Sequence, residues 1–209
     1  MTILVSLGCN CHPAWWLRKL NLRGPAMPFD WLLSKPHLGL DFAVTVQDNG
    51  FDGWLDGLSV NARGHPVSSR YPAIELFHHH DLVADDPELR AAEHKRLTLR
   101  AADFGVTVAR GGVDFLYCFP LRDKLPQPAE LQAFERSVDR ALASWPSATL
   151  HVYFLSDAPG LLGRPLLKTR DRLVEHAYFR DRNIDRNWGT EPSFLRAITA
   201  EVSAVDTPR

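Results

Sequence analysis

Short apolar runs alternate with helix-like segments along most of this 209-residue chain, and this alternation constrains the fold more than any other feature. The clearest runs cover residues 3–7, 113–119 and 150–155, and residues 73–77 and 173–179 are further candidate strands. A continuous apolar run is typical of a strand that is buried on both faces of its sheet. Strands that alternate with helices predict an α/β fold, here a three-layer sandwich with a mostly parallel sheet.

The segments between the runs carry helical spacing or helix-start signals. They cover residues 12–20, 36–44, 86–104, 128–145 and 191–202. Pro36 and Pro87 can each open a helix, because a residue in the first turn makes no intrahelical use of its N–H group. No linker or internal repeat divides the chain. We therefore predict one domain over residues 1–209, with an irregular excursion at about residues 50–70.

The bulk composition excludes several classes of partner. The net charge is −1 and 45% of the residues are hydrophobic, so the chain lacks the basic footprint of a nucleic-acid or anionic-membrane binder. No apolar stretch is long enough to span a bilayer, and the run at residues 3–7 is too short for the core of a signal peptide. We expect a small-molecule or peptide substrate as the partner, and the composition leaves the oligomeric state open.

The cysteine content indicates a reducing compartment. Cys9, Cys11 and Cys118 are the three cysteines, and an odd, sparse set does not form a disulfide framework. We therefore expect reduced thiols and a cytoplasmic location.

Cys11 is the strongest candidate for a reactive residue. It follows the glycine turn after the first apolar run and directly precedes a predicted helix with Pro13 in its first turn. A thiol at a helix start faces unpaired N–H groups and the positive end of the helix dipole, which lower its pKa. This position predicts a nucleophilic thiolate, and the alternative is a small buried apolar residue.

Three consecutive histidines could supply the base that a thiol nucleophile needs. If the preceding residues form a strand, His78 and His80 share one face and His79 points to the other. A solvated loop is the alternative. A metal site that uses His78, His80 and a thiol is a weaker alternative, because contiguous side chains diverge and the Cys9-x-Cys11 spacing is tighter than in structural zinc sites. We predict no metal, and no phosphate-cradling glycine motif points to a cofactor.

Two carboxylates and an arginine could complete the site. Asp157 follows the run at residues 150–155, and Asp30 lies between two large aromatic residues. Either could orient a histidine, as the third member of a catalytic triad does, and local loop capping is the alternative for both. Arg96 could grip a carboxylate or phosphate of the substrate, unless it belongs to a solvated helix face.

The first third of the chain resembles a bacterial family of uncharacterised proteins that are labelled papain-like cysteine peptidases. The shared pattern is Ser6-Leu7-Gly8-x-x-Cys11, a helix, a Pro28-Phe29-Asp30-Trp31 box, and an aromatic residue before a His-Asp pair, here Phe77 and His80-Asp81. The resemblance implies that Cys11 is the nucleophile and His80 its base. The extra histidines leave the choice between His79 and His80 open, and a papain-like α+β fold is the alternative architecture.

These observations together predict a cysteine-dependent hydrolase or acyl transferase that acts on a carbonyl substrate. Cys11 attacks, His80 shuttles the proton, and Asp30 or Asp157 orients the histidine. The substrate contacts are expected to be Gly8, Asn10 and His12 in the turn, together with Trp31, His78 and Arg96. The alternative is a non-catalytic module of the same fold that binds an anionic sugar, a nucleotide or a peptide terminus.

Overall fold

The computed structural model describes residues 3–198 and shows a mixed α/β fold built on a parallel sheet. In chain order the elements are β1 (Ile3–Ser6), α1 (His12–Lys19), α2 (Pro36–Asp48), β2 (Ser59–Val60), β3 (Pro66–Val67), a 3₁₀ helix (His80–Val83), α3 (Pro87–Arg110), β4 (Val113–Arg122), α4 (Pro128–Ser144), β5 (Leu150–Ser156) and β6 (Leu173–Phe179). Residues 193–198 are also helical, so the helix predicted over 191–202 begins two residues later than expected, and its residues 199–202 lie outside the described residues.

The main sheet has four strands in the order β1-β4-β5-β6, and every neighbouring pair is parallel. The predicted α/β class with a mostly parallel sheet is therefore confirmed. Strands β2 and β3 form a separate two-stranded antiparallel sheet within the excursion at residues 50–70, which is thus more regular than predicted.

Strands β1, β4 and β5 are mostly apolar because both faces of the sheet are buried there, whereas β6 is mostly half-buried or exposed. Leu4, Leu116 and Tyr153 pack on one face in a cluster with Trp16 and Leu17 of α1. Their sequence neighbours belong to the larger cluster on the other face, with apolar residues of α2, α3 and α4, such as Val5, Phe115, Phe154, Leu40, Phe104 and Phe134. Each fully buried side chain of this size contributes about 1.5–3 kcal/mol of burial free energy.

The helix starts agree with the proline signals in the sequence. Pro36, Pro87 and Pro128 each occupy the first turn of a long helix. Asp86 caps α3 by accepting a 2.8 Å hydrogen bond from the backbone N–H of Glu88. Gly111 ends α3 with a φ of 74°, a left-handed conformation that favours glycine.

The strand predicted over residues 73–77 is wrong. Glu75 forms only isolated bridges to Leu33 and Val67. Its carboxylate instead binds Arg63 and His65, with 2.6 Å between His65 Nδ1 and Glu75 Oε2. These side-chain bonds attach the segment to the excursion rather than to the main sheet. No helix among residues 3–198 combines the length and apolar character needed to cross a bilayer.

Candidate active site

A cleft of about 1270 Å³ opens where the parallel strands end. Its walls come from the turn after β1, the last residues of β4 and the loop beyond, and the segments that follow β5 and β6. The N-terminal ends of α1, α2 and α4 also line it. Ligand sites of parallel α/β sheets lie at this carboxyl edge, because the loops there converge from several strands.

The N-terminal end of α2 is fastened to the turn after β1 by contacts between distant parts of the chain. The backbone N–H of Ser34 donates to the carbonyl of Cys9 at 3.0 Å. The Tyr117 hydroxyl, on β4, donates to the carbonyl of Pro36 at 2.5 Å. These bonds bring the first turn of α2 beside the turn that carries Cys11.

Cys11 is the N-cap residue of α1 and lines the cleft, with its side chain partly exposed. Burial raises the pKa of the thiol to about 11, and its own backbone N–H only partly offsets that effect. The expected lowering of the pKa at the helix start is therefore wrong, because the loss of solvation outweighs the hydrogen bond from the backbone N–H. No hydrogen bond joins the thiol to a histidine among residues 3–198, so the resting thiol is protonated at neutral pH.

The rest of the turn is held by hydrogen bonds of Cys9 and Asn10. Cys9 is buried, its thiol donates to the carbonyl of Cys118 at 2.9 Å, and burial raises its pKa well above the ordinary value. Asn10 lines the cleft; its amide nitrogen lies 3.6 Å from the Cys118 sulfur, and its oxygen accepts from the His12 N–H at 3.0 Å. Gly8, which precedes Cys9 in this turn, is not among the residues that line the cleft.

His12 lines the cleft but has both ring nitrogens engaged. Nδ1 lies 2.7 Å from the Tyr153 hydroxyl, and Nε2 lies 3.2 Å from the carbonyl of Trp188 and 3.3 Å from the indole nitrogen of Trp16. Burial lowers the pKa of His12 to about 4, so the ring is neutral at neutral pH. Its bonds support the wall of the cleft that Trp188 forms.

The three consecutive histidines point to three different partners. The His78 ring lies 5.3 Å from the Trp31 ring, His79 Nδ1 lies 2.6 Å from the Glu93 carboxylate, and the His80 ring lies 5.8 Å from the ring of His65. None of the three is among the described residues that line the cleft. The structure thus does not bring His80 to Cys11, and their pairing stays a prediction.

Asp30 lies in a buried ion pair outside the cleft. It accepts from Arg23 at 2.5 Å and from the backbone N–H of Met27 at 2.7 Å. Burial raises the pKa of Asp30 even though Arg23 lowers it. The Arg23–Asp30 ion pair therefore stabilises the loop between α1 and α2 and does not face the cleft.

Trp31 and Arg96 also lie outside the cleft lining. The guanidinium groups of Arg18 and Arg23 lie 5.6 and 5.7 Å from the centroid of the Trp31 ring. Arg96 donates to the Glu93 carboxylate at 2.5 Å. The structure therefore gathers these two predicted substrate contacts with His78 and His79, and separates them from Cys11.

Asp157 does line the cleft, where two arginines hold it. Arg180 donates to both carboxylate oxygens at 2.7 and 2.9 Å, and Arg182 donates at 2.5 Å. Burial opposes ionisation, but these arginines keep the pKa of Asp157 below its ordinary range. The carboxylate makes no hydrogen bond to a histidine among residues 3–198, and its orienting role stays a prediction.

Several side chains of the cleft were missed by the sequence analysis. His37 and Glu130 lie side by side in the lining, with 3.7 Å between Nδ1 and Oε1. The cleft also holds the cations Lys35, Arg122 and Lys124. The end of the run at residues 113–119 is a signal for Arg122, Lys124 and Glu130, because every parallel strand contributes its following segment to the same edge. Lys35 and His37 have no such local signal, because they follow no strand of the main sheet.

Among residues 3–198, no group of three or more histidine, cysteine or acidic side chains could hold a metal ion.

One comparison with known proteins gives a match. A family model described as "Putative papain-like cysteine peptidase" matches residues 2–70, about a third of the chain. The matched segment contains Cys11, Asp30 and Trp31 and ends before the three histidines. No curated protein matches this chain, and no solved structure does.

Proposed function

We propose that the protein is a cysteine-dependent hydrolase or acyl transferase with Cys11 as the nucleophile. The observation that carries this proposal is the place of Cys11, whose thiol stands at the N-terminus of α1 within the cleft at the carboxyl edge of the sheet. The family similarity over residues 2–70 includes this residue and its turn. We also propose the three-layer sandwich as the finer fold, since apolar clusters with helical partners cover both faces of the sheet.

A protonated thiol needs a base at the moment of attack, because its pKa of about 11 leaves almost no thiolate at neutral pH. Two histidines line the cleft, and His12 has both ring nitrogens engaged. His37 has Nε2 without a hydrogen bond among residues 3–198 and Nδ1 facing Glu130. We therefore assign the role of base to His37, and His80 is the second candidate on the resemblance alone.

The proposed reaction forms and breaks one bond at the substrate in each half. The sulfur of Cys11 attacks the carbonyl carbon while His37 takes the thiol proton, and the carbon–leaving-group bond then breaks as His37 returns that proton to the leaving group. Water, or another acceptor, attacks the resulting thioester, gives its proton to His37, and releases the Cys11 thiol once the sulfur regains the proton. The oxyanion is expected beside the backbone N–H of Cys11, because Asn10 already occupies the N–H of His12 and Pro13 has none.

Hydrolysis of p-nitrophenyl acetate tests this function. We expect turnover that Cys11→Ala abolishes and that His37→Ala lowers about 10²–10⁴-fold, the range for loss of a general base. His80→Ala is the matched control, because it removes a histidine that does not line the cleft. A loss with His80→Ala and none with His37→Ala would transfer the role of base to His80. Equal turnover in wild type and Cys11→Ala would contradict the whole proposal.

A non-catalytic binding module is the second candidate function. It is favoured by the raised pKa of Cys11 and by the absence of a histidine bonded to its thiol among residues 3–198. In that case a ligand would stabilise wild type and Cys11→Ala equally in a thermal shift measurement, and neither protein would turn it over.

A further inference from the structure

We propose that the cleft recognises an anionic group on its substrate, a carboxylate or a phosphate, through Lys35, Arg122 and Lys124. The inference deepens the proposed function, because it names the class of substrate that would meet Cys11. The positive charges of these three side chains are not needed for the acyl transfer itself.

The charge of the cleft differs from that of the whole chain. Of residues 3–198, six lysines and arginines line the cleft against three aspartates and glutamates, whereas the whole chain carries a net charge of −1. A cleft of one sign concentrates ligands of the opposite sign, because its walls focus the field into the opening.

Half of these cations are already paired with carboxylates. Arg180 and Arg182 share Asp157, and Arg63 binds Glu75 outside the lining. Of the lining acids, Asp157 is thereby neutralised, and Glu130 caps its own helix by accepting from the backbone N–H of Gln127 at 3.1 Å. These paired groups nearly cancel one another's charge, so they contribute little net charge to the binding of a ligand.

The other three cations have no carboxylate partner among the described residues. Within residues 3–198, no ion pair involves Lys35, Arg122 or Lys124, and all three side chains belong to exposed residues of the cleft. Asp123 is the one lining acid of the described residues that makes neither an ion pair nor a hydrogen bond through its side chain. The cleft therefore keeps an unbalanced positive charge at its opening.

The backbone of Arg122 is fixed at the sheet edge by its neighbours on β5. Its carbonyl accepts hydrogen bonds from the N–H of Asp157 at 2.6 Å and from the Ser156 hydroxyl at 3.4 Å. The pairing of β4 with β5 shifts register between Pro120 and Arg122, and Arg122 adopts a φ of 60°. A left-handed non-glycine residue at an irregular strand end is a feature that clusters at functional sites.

Helix ends add to the same field. The N-cap residues of α1, α2 and α4 are Cys11, Lys35 and Gln127, and all three line the cleft. The first turns of α1 and α2 contain no acidic residue, so their positive ends are not offset locally. Together with the three cations that make no ion pair among residues 3–198, these ends favour a negatively charged ligand in the cleft that Cys11 lines.

Alkylation of Cys11 by two reagents of different charge tests the inference without any turnover. Iodoacetate is anionic and iodoacetamide is neutral, and the ratio of their rates at one pH cancels the thiolate fraction. At low salt we expect this ratio, mapped to Cys11 by mass spectrometry, to exceed that of the uncharged reference thiol N-acetylcysteine amide about tenfold. High salt should lower it, because the Debye length falls to about 3 Å at 1 M.

Substitutions then identify the residues responsible. Arg122→Gln and Lys124→Gln, singly and combined, should lower the rate ratio, and Lys35→Gln should do the same. The matched controls are Arg110→Gln and Lys95→Gln on the exposed surface of α3, which should leave it unchanged. A wild-type ratio equal to that of the free thiol, or an equal fall in the controls, would overturn the inference.

Protection of Cys11 by two anions, compared at equal ionic strength, distinguishes a phosphate from a carboxylate as the group that the cleft binds. Protection of Cys11 from iodoacetamide by inorganic phosphate alone would assign a phosphate group, and protection by malonate alone would assign a carboxylate. Protection by neither would overturn the inference. If the rate ratio is raised but p-nitrophenyl acetate is not turned over, the anion site stands and the proposed acyl chemistry falls.

Discussion

Gly8 lies directly against the carbonyl oxygen of Phe29. A Cβ atom added to Gly8 would stand 2.9 Å from that oxygen and 2.7 Å from the carbonyl oxygen of Asn10. Both neighbours are backbone atoms, so neither can yield as the end of a flexible side chain would. The absence of a side chain at position 8 thus lets the backbone at Phe29 pack directly against the turn that carries Cys11.

Gly8→Ala should therefore destabilise the protein by about 1–3 kcal/mol, the usual cost of forcing an extra carbon into packed surroundings. Urea denaturation followed by circular dichroism measures the free energy of unfolding. Gly105→Ala is the matched control, because a Cβ at this helical position of α3 meets no atom within 4 Å. Replacing an unhindered helical glycine should stabilise the protein by up to about 1 kcal/mol. Equal effects of the two substitutions would contradict the packing role of Gly8.

The thiol of Cys11 should titrate far above neutrality. Its pKa is raised to about 11, so the thiolate fraction, and with it the rate of alkylation by iodoacetamide, should keep rising with pH up to that value. At pH 7 the rate should lie about two to three orders of magnitude below that of a free thiol of pKa about 8.5. A pH–rate profile at Cys11, mapped by mass spectrometry, checks this. A plateau below pH 9 would contradict the dominance of burial.

Breaking the buried ion pair between Arg23 and Asp30 should lower the free energy of unfolding substantially. Arg23→Met leaves the Asp30 carboxylate, which is 2% exposed, without its guanidinium partner. The expected loss is about 3–5 kcal/mol in the free energy of unfolding, measured by urea denaturation. Arg140→Met is the control, because it breaks the exposed pair with Asp41, which should cost no more than about 1 kcal/mol. Similar losses for both variants would contradict the role of Asp30 as a buried support.

Much of the scaffold could be predicted because its signals are local. The run at residues 113–119 is apolar on both faces of the sheet, and Pro87 with the Asp86 cap fixes the start of α3, so β4 and α3 follow from short stretches of sequence. The strand predicted over residues 73–77 failed because the side-chain bonds of Glu75 to Arg63 and His65 decide its place, and no local pattern reports them.

The site was harder to predict because it depends on burial and on distant contacts. The helix start at Cys11 was correctly located, but the pKa of its thiol depends on how much of the cleft wall shields it from water. His37 reaches the cleft because the Tyr117 hydroxyl binds Pro36 across 81 residues of sequence. The directions of His78, His79 and His80 follow from the 3₁₀ helix that begins at His80, not from the strand that sequence patterning suggested.

Trapping of an acyl group on Cys11 is the sharpest test of its role as the nucleophile. The protein is mixed with p-nitrophenyl acetate at pH 7, quenched in acid within milliseconds to seconds, and mapped by mass spectrometry. We expect a thioester on Cys11 that forms faster than on free N-acetylcysteine, despite the raised thiol pKa, and that forms more slowly when His37 is replaced by alanine. Acylation of Cys11 at or below the rate of the free thiol, unchanged by His37→Ala, would contradict this role.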